Sequence, residues 1–286
     1  MPLKFTFHPG NAAHSGAPEV MDTIIPVCRT LGIELYPLED ATSCGAGIIR
    51  QANDLLQITL NARTMALAES IGYDILTPCA ATLGNLSEDL TKLRNDPLLL
   101  AKVNDVLLRT SDLELKGDVN IRHILHVIVE DIGLEKIEKM VKNPMKFKIA
   151  GYYGPNMQQL GFCGEDDVYD PIYLEELILT LGGTPIDWNS RTVSVGVPGI
   201  YSEEETVLKQ IASTISEAKS QGAQLIVSSC TLSHTMMDIY QGKASRISGI
   251  STNLPIIHLS EILSFAFGHH NSRLAQFRTR LAVIGD

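Results

Sequence analysis

The pattern of apolar and polar positions predicts two successive halves built in the same order. In each half a short apolar strand leads into a turn containing glycine and proline, and an amphipathic helix follows. The predicted first strands are 4–7 and 148–152, and the helices after them span about 18–31 and 171–181. Strands that alternate with helices at this spacing are typical of parallel sheets covered by helices. We therefore predict an α/β fold with two pseudo-repeated, doubly wound parallel-sheet lobes.

The second part of each half also repeats. After a second strand comes a turn of small residues, then a long helix, and then an apolar strand that ends at a cysteine. These long helices and strands are predicted at 54–71 and 74–77, and at 203–221 and 224–228. Cys79 lies 35 residues after Cys44, and Cys230 lies 35 residues after Val195. Because functional turns collect at the carboxyl ends of parallel strands, the three cysteine turns are expected at that edge.

The segment between the halves, 86–141, has helical periodicity with one break at Lys116, Gly117 and Asp118. We interpret it as a helical bridge that completes the first lobe. The predicted domains are therefore a first lobe of residues 1–146, which includes the bridge, and a second lobe of residues 147–286.

Composition places the chain among globular proteins of two-domain size. It has 286 residues, of which 44% are hydrophobic and 20% are charged. The first thirty residues lack the pattern of a signal peptide, and no apolar run reaches the roughly 18–20 residues that cross a bilayer. We expect a cytoplasmic protein. A net charge of −10 with scattered Lys and Arg disfavours nucleic-acid binding, which requires a clustered basic face.

The cysteines do not form local ligand pairs. There are five of them, at wide spacings, and no C-x-x-C pair occurs. They are Cys28, Cys44, Cys79, Cys163 and Cys230. This pattern disfavours a disulfide framework and excludes a closed metal site made only from adjacent cysteine pairs.

Each half resembles the CCG domain found in the B-type subunit of heterodisulfide reductase and in the related third subunit of certain succinate and fumarate reductases. The resemblance rests on the order of turns and cysteines and extends to stretches outside them, such as 119–124 and 256–260. In that family, five cysteines in each half hold a non-cubane iron–sulfur cluster, and the two clusters face a shared substrate cleft. The resemblance implies tandem CCG domains along nearly the whole chain.

Most of the family's ligand positions are occupied by other residues. The matching positions in the first half are Asn11, Ser43, Cys44, Cys79 and Thr82. Those in the second half are Pro155, Ser194, Val195, Cys230 and Ser233. Iron in sulfide clusters is held by thiolates; proline and valine offer no side-chain ligand atom, and neutral oxygens suit a soft site poorly. We therefore expect no cofactor in this chain.

The resemblance implies a subunit of a multi-subunit oxidoreductase of the heterodisulfide reductase or succinate dehydrogenase (succinate:quinone reductase) type. Without clusters this subunit would not transfer electrons itself. It would dock an iron–sulfur subunit that works with a flavoprotein subunit containing FAD, touch the cytoplasmic membrane peripherally, or shape a quinone or thiol cleft. Two alternatives stay open: an active quinone- or disulfide-reducing subunit with a modified cluster or redox cysteine pair, and a soluble module that binds a small ligand.

Cys44 and Cys79 are the remaining candidates for chemistry in the first half. They could form a redox disulfide, or a metal site with His8 or His14. The favoured interpretation is that both are small, buried and inert, since free cysteine packs as a compact hydrophobe.

The other histidines are interpreted as structural. Cys230 and His234 are one helical turn apart, but two groups rarely hold a metal by themselves. His123, His126 and His258 lie outside the ligand turns, so we expect hydrogen bonds in the core or at an interface.

The last predicted element is an amphipathic helix within 271–284. Apolar and basic residues alternate there at helical spacing, as is typical of a helix on an anionic membrane surface or on a partner subunit. The proposed contact residues are Arg273, Leu274, Phe277, Arg278 and Leu281.

Overall fold

A computed structural model describes residues 2–14 and 16–269. The first lobe contains a four-stranded sheet whose strands are all parallel and run in the order β2-β1-β3-β4. These strands are β1 (Leu3–Phe7), β2 (Ile33–Pro37), β3 (Ile75–Thr77) and β4 (Ile121–His123). The order reverses direction between β1 and β3, where a doubly wound sheet opens a crevice at its carboxyl edge.

The second lobe repeats this topology. Its strands are β5 (Lys148–Tyr152), β6 (Thr184–Ile186), β7 (Leu225–Ser228) and β8 (Ile256–His258). They are parallel and run in the order β6-β5-β7-β8, which corresponds strand by strand to the first sheet. The prediction of two pseudo-repeated parallel-sheet lobes is confirmed.

Helices connect the strands of both lobes. Those of the first lobe are α1 (Pro18–Leu31), α2 (Ile48–Ala52), α3 (Asp54–Ile71), α4 (Ala80–Asn95), α5 (Pro97–Ser111), α6 (Ile124–His126), which continues as a π-helix over Val127–Ile132, and α7 (Leu134–Glu138). Those of the second lobe are α8 (Tyr173–Thr180), α9 (Glu204–Ser220), α10 (Thr231–Ile239), α11 (Gln241–Ser248) and α12 (Leu259–Ala266). Capping explains the bounds of α3, because the Asn53 side chain accepts a hydrogen bond from the Leu56 N–H and Gly72 ends the helix at φ 89°.

The helical interpretation of the segment 86–141 needs one correction. It contains β4, which pairs with β3 through Ile75 and Ile121 and forms the edge of the first sheet. The strand is followed at once by a helix, with no turn between them to mark its end. Its counterpart β8, which also runs directly into a helix, was missed for the same reason.

The two lobes interlock through α7 and α12. Helix α12 of the second lobe packs on α1 of the first, and α7 of the first packs on α8 of the second. One hydrophobic cluster contains buried residues of both sheets, including Phe5, Ile149 and Leu225. The sheets therefore share a core, and the boundary at residue 146 stays a prediction.

Within the described ranges, no helix combines the length and the apolarity that crossing a bilayer requires. The C-terminal contact residues named above, Arg273, Leu274, Phe277, Arg278 and Leu281, lie outside the described residues.

Candidate functional site

Two cysteines meet at the centre of the molecule, where the lobes join. Cys79 follows β3, Cys230 follows β7, and their sulfurs lie 3.9 Å apart although 151 residues separate them. Both side chains are buried. Each cysteine is also the N-cap of a helix, α4 for Cys79 and α10 for Cys230. The positive ends of two helix dipoles therefore meet at the thiols, a position that favours thiolate.

The two thiols titrate as a pair. The Cys230 thiol donates a hydrogen bond to the Cys79 sulfur, and this lowers the pKa of Cys79 well below its usual range despite burial. The same hydrogen bond, together with burial, raises the pKa of Cys230 well above its usual range. Cys79 is therefore the more acidic sulfur of the pair.

Two histidines fix these cysteines by reciprocal contacts across the lobes. His123 ends β4, and its Nε2 lies 2.8 Å from the carbonyl of Ser229, the residue before Cys230. His258 ends β8, and its Nε2 lies 3.1 Å from the carbonyl of Pro78, the residue before Cys79. In each histidine Nδ1 accepts the N–H two residues later, so Nε2 is the donor. The expectation of interface hydrogen bonds at His123 and His258 is confirmed.

Gly10 allows the turn after β1 to approach this pair. Its φ is +91°, which favours glycine. A Cβ on Gly10 would lie 2.6 Å from the Cys79 Cβ and 2.7 Å from the Thr231 Oγ1. The backbone of the first lobe therefore passes closely between the amino-terminal ends of α4 and α10.

The ligand positions of the first lobe are hydrogen-bonded to one another. The Asn11 amide donates to the Cys44 sulfur at 3.1 Å, and its Oδ1 accepts from the Ser43 hydroxyl at 2.9 Å and the Cys44 N–H at 3.2 Å. The Thr82 hydroxyl donates to the same sulfur at 3.6 Å. Burial raises the pKa of Cys44, so this residue is a thiol at neutral pH.

A buried network of polar side chains holds the backbone of the Cys44 turn in place. The Asn61 amide donates to the Cys44 carbonyl at 3.4 Å and to the Asp89 carboxylate at 2.6 Å. Arg50 forms an ion pair with Asp89 at 2.7 Å. The position of Cys44 is thus set by structural contacts that extend into α3 and α4.

The ligand positions of the second lobe diverge. Pro155 is exposed, whereas Val195 is buried in a hydrophobic cluster with Tyr152. The Ser194 hydroxyl accepts the Gly196 N–H at 3.0 Å, just as Ser43 accepts the Gly45 N–H in the first lobe. These residues keep the turn and fill the core. Their side chains offer no set of soft ligand atoms.

Two pairings that the sequence left open do not occur in the structure. Cys79 contacts Cys230 rather than Cys44, because the turns after β3 and β7 meet where the lobes join. His234 is turned toward Glu19 at 2.8 Å, not toward Cys230. The equal spacing of 35 residues already marked Cys79 and Cys230 as equivalent, but only the packing of the lobes brings them together.

A cleft of about 470 Å³ lies beside this centre, between the lobes. Its first wall is formed by the turns that hold Asn11 and Ser43. Its second wall consists of α10 and the 3-10 turn Val197–Tyr201, with Ile200, Leu232 and other apolar side chains. The volume and the mostly apolar lining are those of small-molecule sites.

Comparison with known proteins agrees with this geometry. The cysteine-rich domain named CCG matches residues 5–87, which contain the first-lobe ligand turns. The chain is 27% identical over 273 residues to the 8-methylmenaquinol:fumarate reductase membrane anchor subunit of Wolinella succinogenes, covering 94% of this chain and 93% of the relative. It is 26% identical over 246 residues to the B-type subunit of a CoB-CoM heterodisulfide reductase from Methanosarcina acetivorans, covering 84% and 81%. The resemblance to the CCG-domain family is confirmed.

A solved structure shares the fold of nearly the whole chain. A hypothetical protein from Helicobacter pylori superimposes with a TM-score of 0.75 at 16% identity, covering 98% of this chain. This chain spans about half of that protein, 52% of its length. The likeness concerns the fold alone.

The CCG frame extends beyond the matched segment. The family match stops at residue 87, yet β5 to β8 repeat the order of the first four strands. The second lobe therefore repeats the strand order of the lobe that contains the match. By name, the relatives of this chain are subunits of oxidoreductases.

Proposed function

We propose that this CCG-domain protein is a subunit of a multi-subunit oxidoreductase that has no non-cubane cluster of its own and offers the cleft between its lobes to a quinone. It docks an iron–sulfur subunit, which works with a flavoprotein, and it contacts the membrane peripherally. The names of its relatives support the oxidoreductase role. The interlobe cleft is the observation on which the quinone proposal rests.

The donor set supports the absence of a cluster. The residues at the ten family positions include proline and valine, and the Asn11 amide already donates to the Cys44 sulfur. A cluster would have to displace these hydrogen bonds and find other ligands, because sulfide clusters require thiolates. The residues present do not fit the group.

Iron analysis tests this part of the proposal. Protein purified without air is expected to contain far less than one equivalent of iron and acid-labile sulfide per chain. Because oxygen destroys exposed clusters, the measurement is made on the freshly purified chain by elemental analysis and absorption spectroscopy. Stoichiometric iron bound to this chain would contradict the proposal.

The composition of the cleft supports a quinone as the ligand. A quinone is a flat apolar ring with two carbonyl acceptors, so it requires an apolar slot with few polar groups. Leu232 and Met236 on α10 supply the slot, and Asn11 and Thr235 are polar groups at its walls. The cleft lies beside the thiol centre, since Leu232 in its wall is two residues after Cys230.

Filling the cleft is expected to block the quinone. Leu232 is half-buried and lines the cleft, so the indole of Leu232→Trp would extend into the space that the quinone needs. We expect the affinity for a short-tailed menaquinone to fall by roughly tenfold or more. Isothermal titration calorimetry on wild type and variant measures the change.

The control for this test is Leu160→Trp, which adds the same ring at a side chain that is 87% exposed. It should bind the quinone as wild type does. Equal affinities for wild type and Leu232→Trp, or failure of the wild type to bind, would refute the cleft as a quinone site.

The 3.9 Å contact of Cys79 and Cys230 favours a second candidate, a disulfide-reducing subunit. The Cys79 thiolate would attack a substrate disulfide and release one thiolate. Cys230 would then attack the mixed disulfide, release the second thiol and leave a Cys79–Cys230 disulfide, which two electrons from the iron–sulfur partner would reduce. Both thiols are buried, so a bulky disulfide reaches them poorly, and this function ranks second.

Oxidation tests the thiol pair. With hydrogen peroxide, the Cys79 thiolate is expected to form a sulfenic acid. The Cys230 thiol then attacks the sulfenic sulfur, which forms the Cys79–Cys230 disulfide and releases water. Peptide mapping by mass spectrometry without reductant detects the linked peptides. Cys28 is the internal control, because burial raises its pKa to about 12 and keeps it a thiol. A link from Cys79 to Cys44, or two thiols that stay free, would count against the pair.

A further inference from the structure

The thiol pair and the cleft between the lobes are connected by the segments that carry them. Leu232, in the second wall of the cleft, lies in the first turn of α10, two residues after Cys230. Asn11, in the first wall, follows Gly10, and a Cβ on Gly10 would lie 3.2 Å from the Cys79 sulfur. Both walls of the cleft therefore begin next to the thiol centre.

The turn that contains Gly10 is packed against the starts of both helices. A Cβ on Gly10 would lie 2.6 Å from the Cys79 Cβ, at the N-cap of α4, and 2.7 Å from the Thr231 Oγ1, in the first residue of α10. Groups packed this closely pass a displacement on to their neighbours. A movement of either helix start therefore displaces the Gly10 turn and Asn11 beside it.

A disulfide between the two thiols would cause such a movement. A sulfur–sulfur bond is about 2.05 Å long. The sulfurs of Cys79 and Cys230 lie 3.9 Å apart, and they belong to different lobes. Bond formation therefore draws the first turn of α10 toward the first lobe. Because the cleft lies between α10 and the turns of the first lobe, it should become narrower near Leu232.

A second cavity gives a small oxidant a route to the thiols. It has a volume of about 410 Å³ and lies at the carboxyl ends of β1 and β2, where Phe7, Gly10 and Pro37 are among its lining residues. Gly10 both lines this cavity and packs on Cys79, so the cavity ends close to the Cys79 sulfur. Hydrogen peroxide is small enough to enter through local opening of this turn, which costs far less than global unfolding.

We propose that Cys79 and Cys230 form a redox switch that closes the cleft between the lobes. The Cys79 sulfur takes one oxygen from hydrogen peroxide and a first water leaves; the Cys230 thiol then attacks the sulfenic sulfur and a second water leaves. The two thiols lose two electrons and two protons in total, and a cellular dithiol returns them. The inference rests on the proposed quinone function, and it concerns the control of the cleft rather than the supply of electrons to it.

The affinity for the short-tailed menaquinone measures the switch. Wild-type protein is reduced, separated from the reductant without air, and compared by isothermal titration calorimetry with protein treated with hydrogen peroxide. Peptide mapping by mass spectrometry verifies the disulfide. We expect oxidation to weaken quinone binding by roughly tenfold or more, and reduction with dithiothreitol to restore it. Equal affinities of the reduced and the disulfide-linked protein, or failure of the disulfide to form, would overturn the proposal.

The control variant is Cys79→Ser. Met236 also lines the cleft, and peroxide can convert it to a sulfoxide, which dithiothreitol does not reverse. Cys79→Ser keeps this methionine but cannot form the disulfide, so a change in its affinity on oxidation measures the effect of the methionine alone. A loss of affinity as large as that of the wild type would refute the switch.

Hydrogen exchange separates this inference from the quinone proposal. Amide exchange in peptides that cover residues 8–14 and 231–239 reports on both walls of the cleft in the absence of a ligand. Formation of the disulfide should change exchange in both peptides of the wild type. If the reduced wild type binds no quinone, the quinone proposal fails, and the exchange rates still decide whether the thiols control the cleft. Unchanged exchange after the disulfide has formed would contradict that control.

Discussion

Replacing Gly10 with alanine is expected to destabilise the protein by roughly 2–5 kcal/mol. Part of the loss is backbone strain, because Gly10 has a φ of +91°. The larger part is steric, because the new Cβ would lie 2.6 Å from the Cys79 Cβ and 2.7 Å from the Thr231 Oγ1. The change is measured by urea unfolding, followed by the fluorescence of Trp188, the single tryptophan, which is buried.

Gly32 provides the matched control. It has a φ of +75°, but a Cβ there would meet no atom within 4 Å. Gly32→Ala should therefore destabilise the protein only through backbone strain, by about 1–2 kcal/mol. If Gly10→Ala lowered the free energy of unfolding no more than Gly32→Ala does, the close approach of the Gly10 turn to the thiol centre would be wrong.

The second large effect is expected at His123. His123→Ala removes the donor to the Ser229 carbonyl and the acceptor of the Leu125 N–H, and it leaves a cavity in the core. We expect a loss of about 3–5 kcal/mol at pH 7.5, measured by urea unfolding. His14→Ala changes an exposed histidine and should alter stability by less than about 0.5 kcal/mol.

The destabilisation caused by His123→Ala should be smaller at acidic pH. Burial lowers the pKa of His123 from 6.5 to about 4 in the folded state. Between these values the unfolded chain binds a proton that the folded chain does not, so this contribution to stability is full above pH 6.5 and is lost as the pH falls toward 4. From pH 7.5 to pH 5 the free energy of unfolding of the wild type should therefore fall by about 2 kcal/mol through His123. The variant lacks this histidine, so its stability should not show this loss. A gap between wild type and variant that is constant from pH 7.5 to 5 would contradict the neutral histidine.

Local patterns predicted most of the fold. Helix α3 was predicted at 54–71 and lies at Asp54–Ile71, because an asparagine and a glycine cap mark both ends. The repeated order of turns predicted two lobes. The strands β4 and β8 were missed, since each runs directly into a helix and no turn separates the two elements.

The site was predictable only in part. The turns of Cys44, Cys79 and Cys230 could be found, because each follows a strand or a run of small residues. Their partners could not, because the contact of Cys79 with Cys230 and that of His234 with Glu19 bridge 151 and 215 residues. Glu19 gave no local signal, since it lies in the first turn of an ordinary amphipathic helix.

The exchange of end helices between the lobes limits how the molecule can move. Hinge bending would have to lift α12 from α1 and α7 from α8 at the same time, and both contacts belong to one apolar core. Exposing that surface is far more costly than the usual domain closure. The protein should thus behave as a rigid block, and any adjustment to an incoming molecule is left to surface loops and side-chain rotamers.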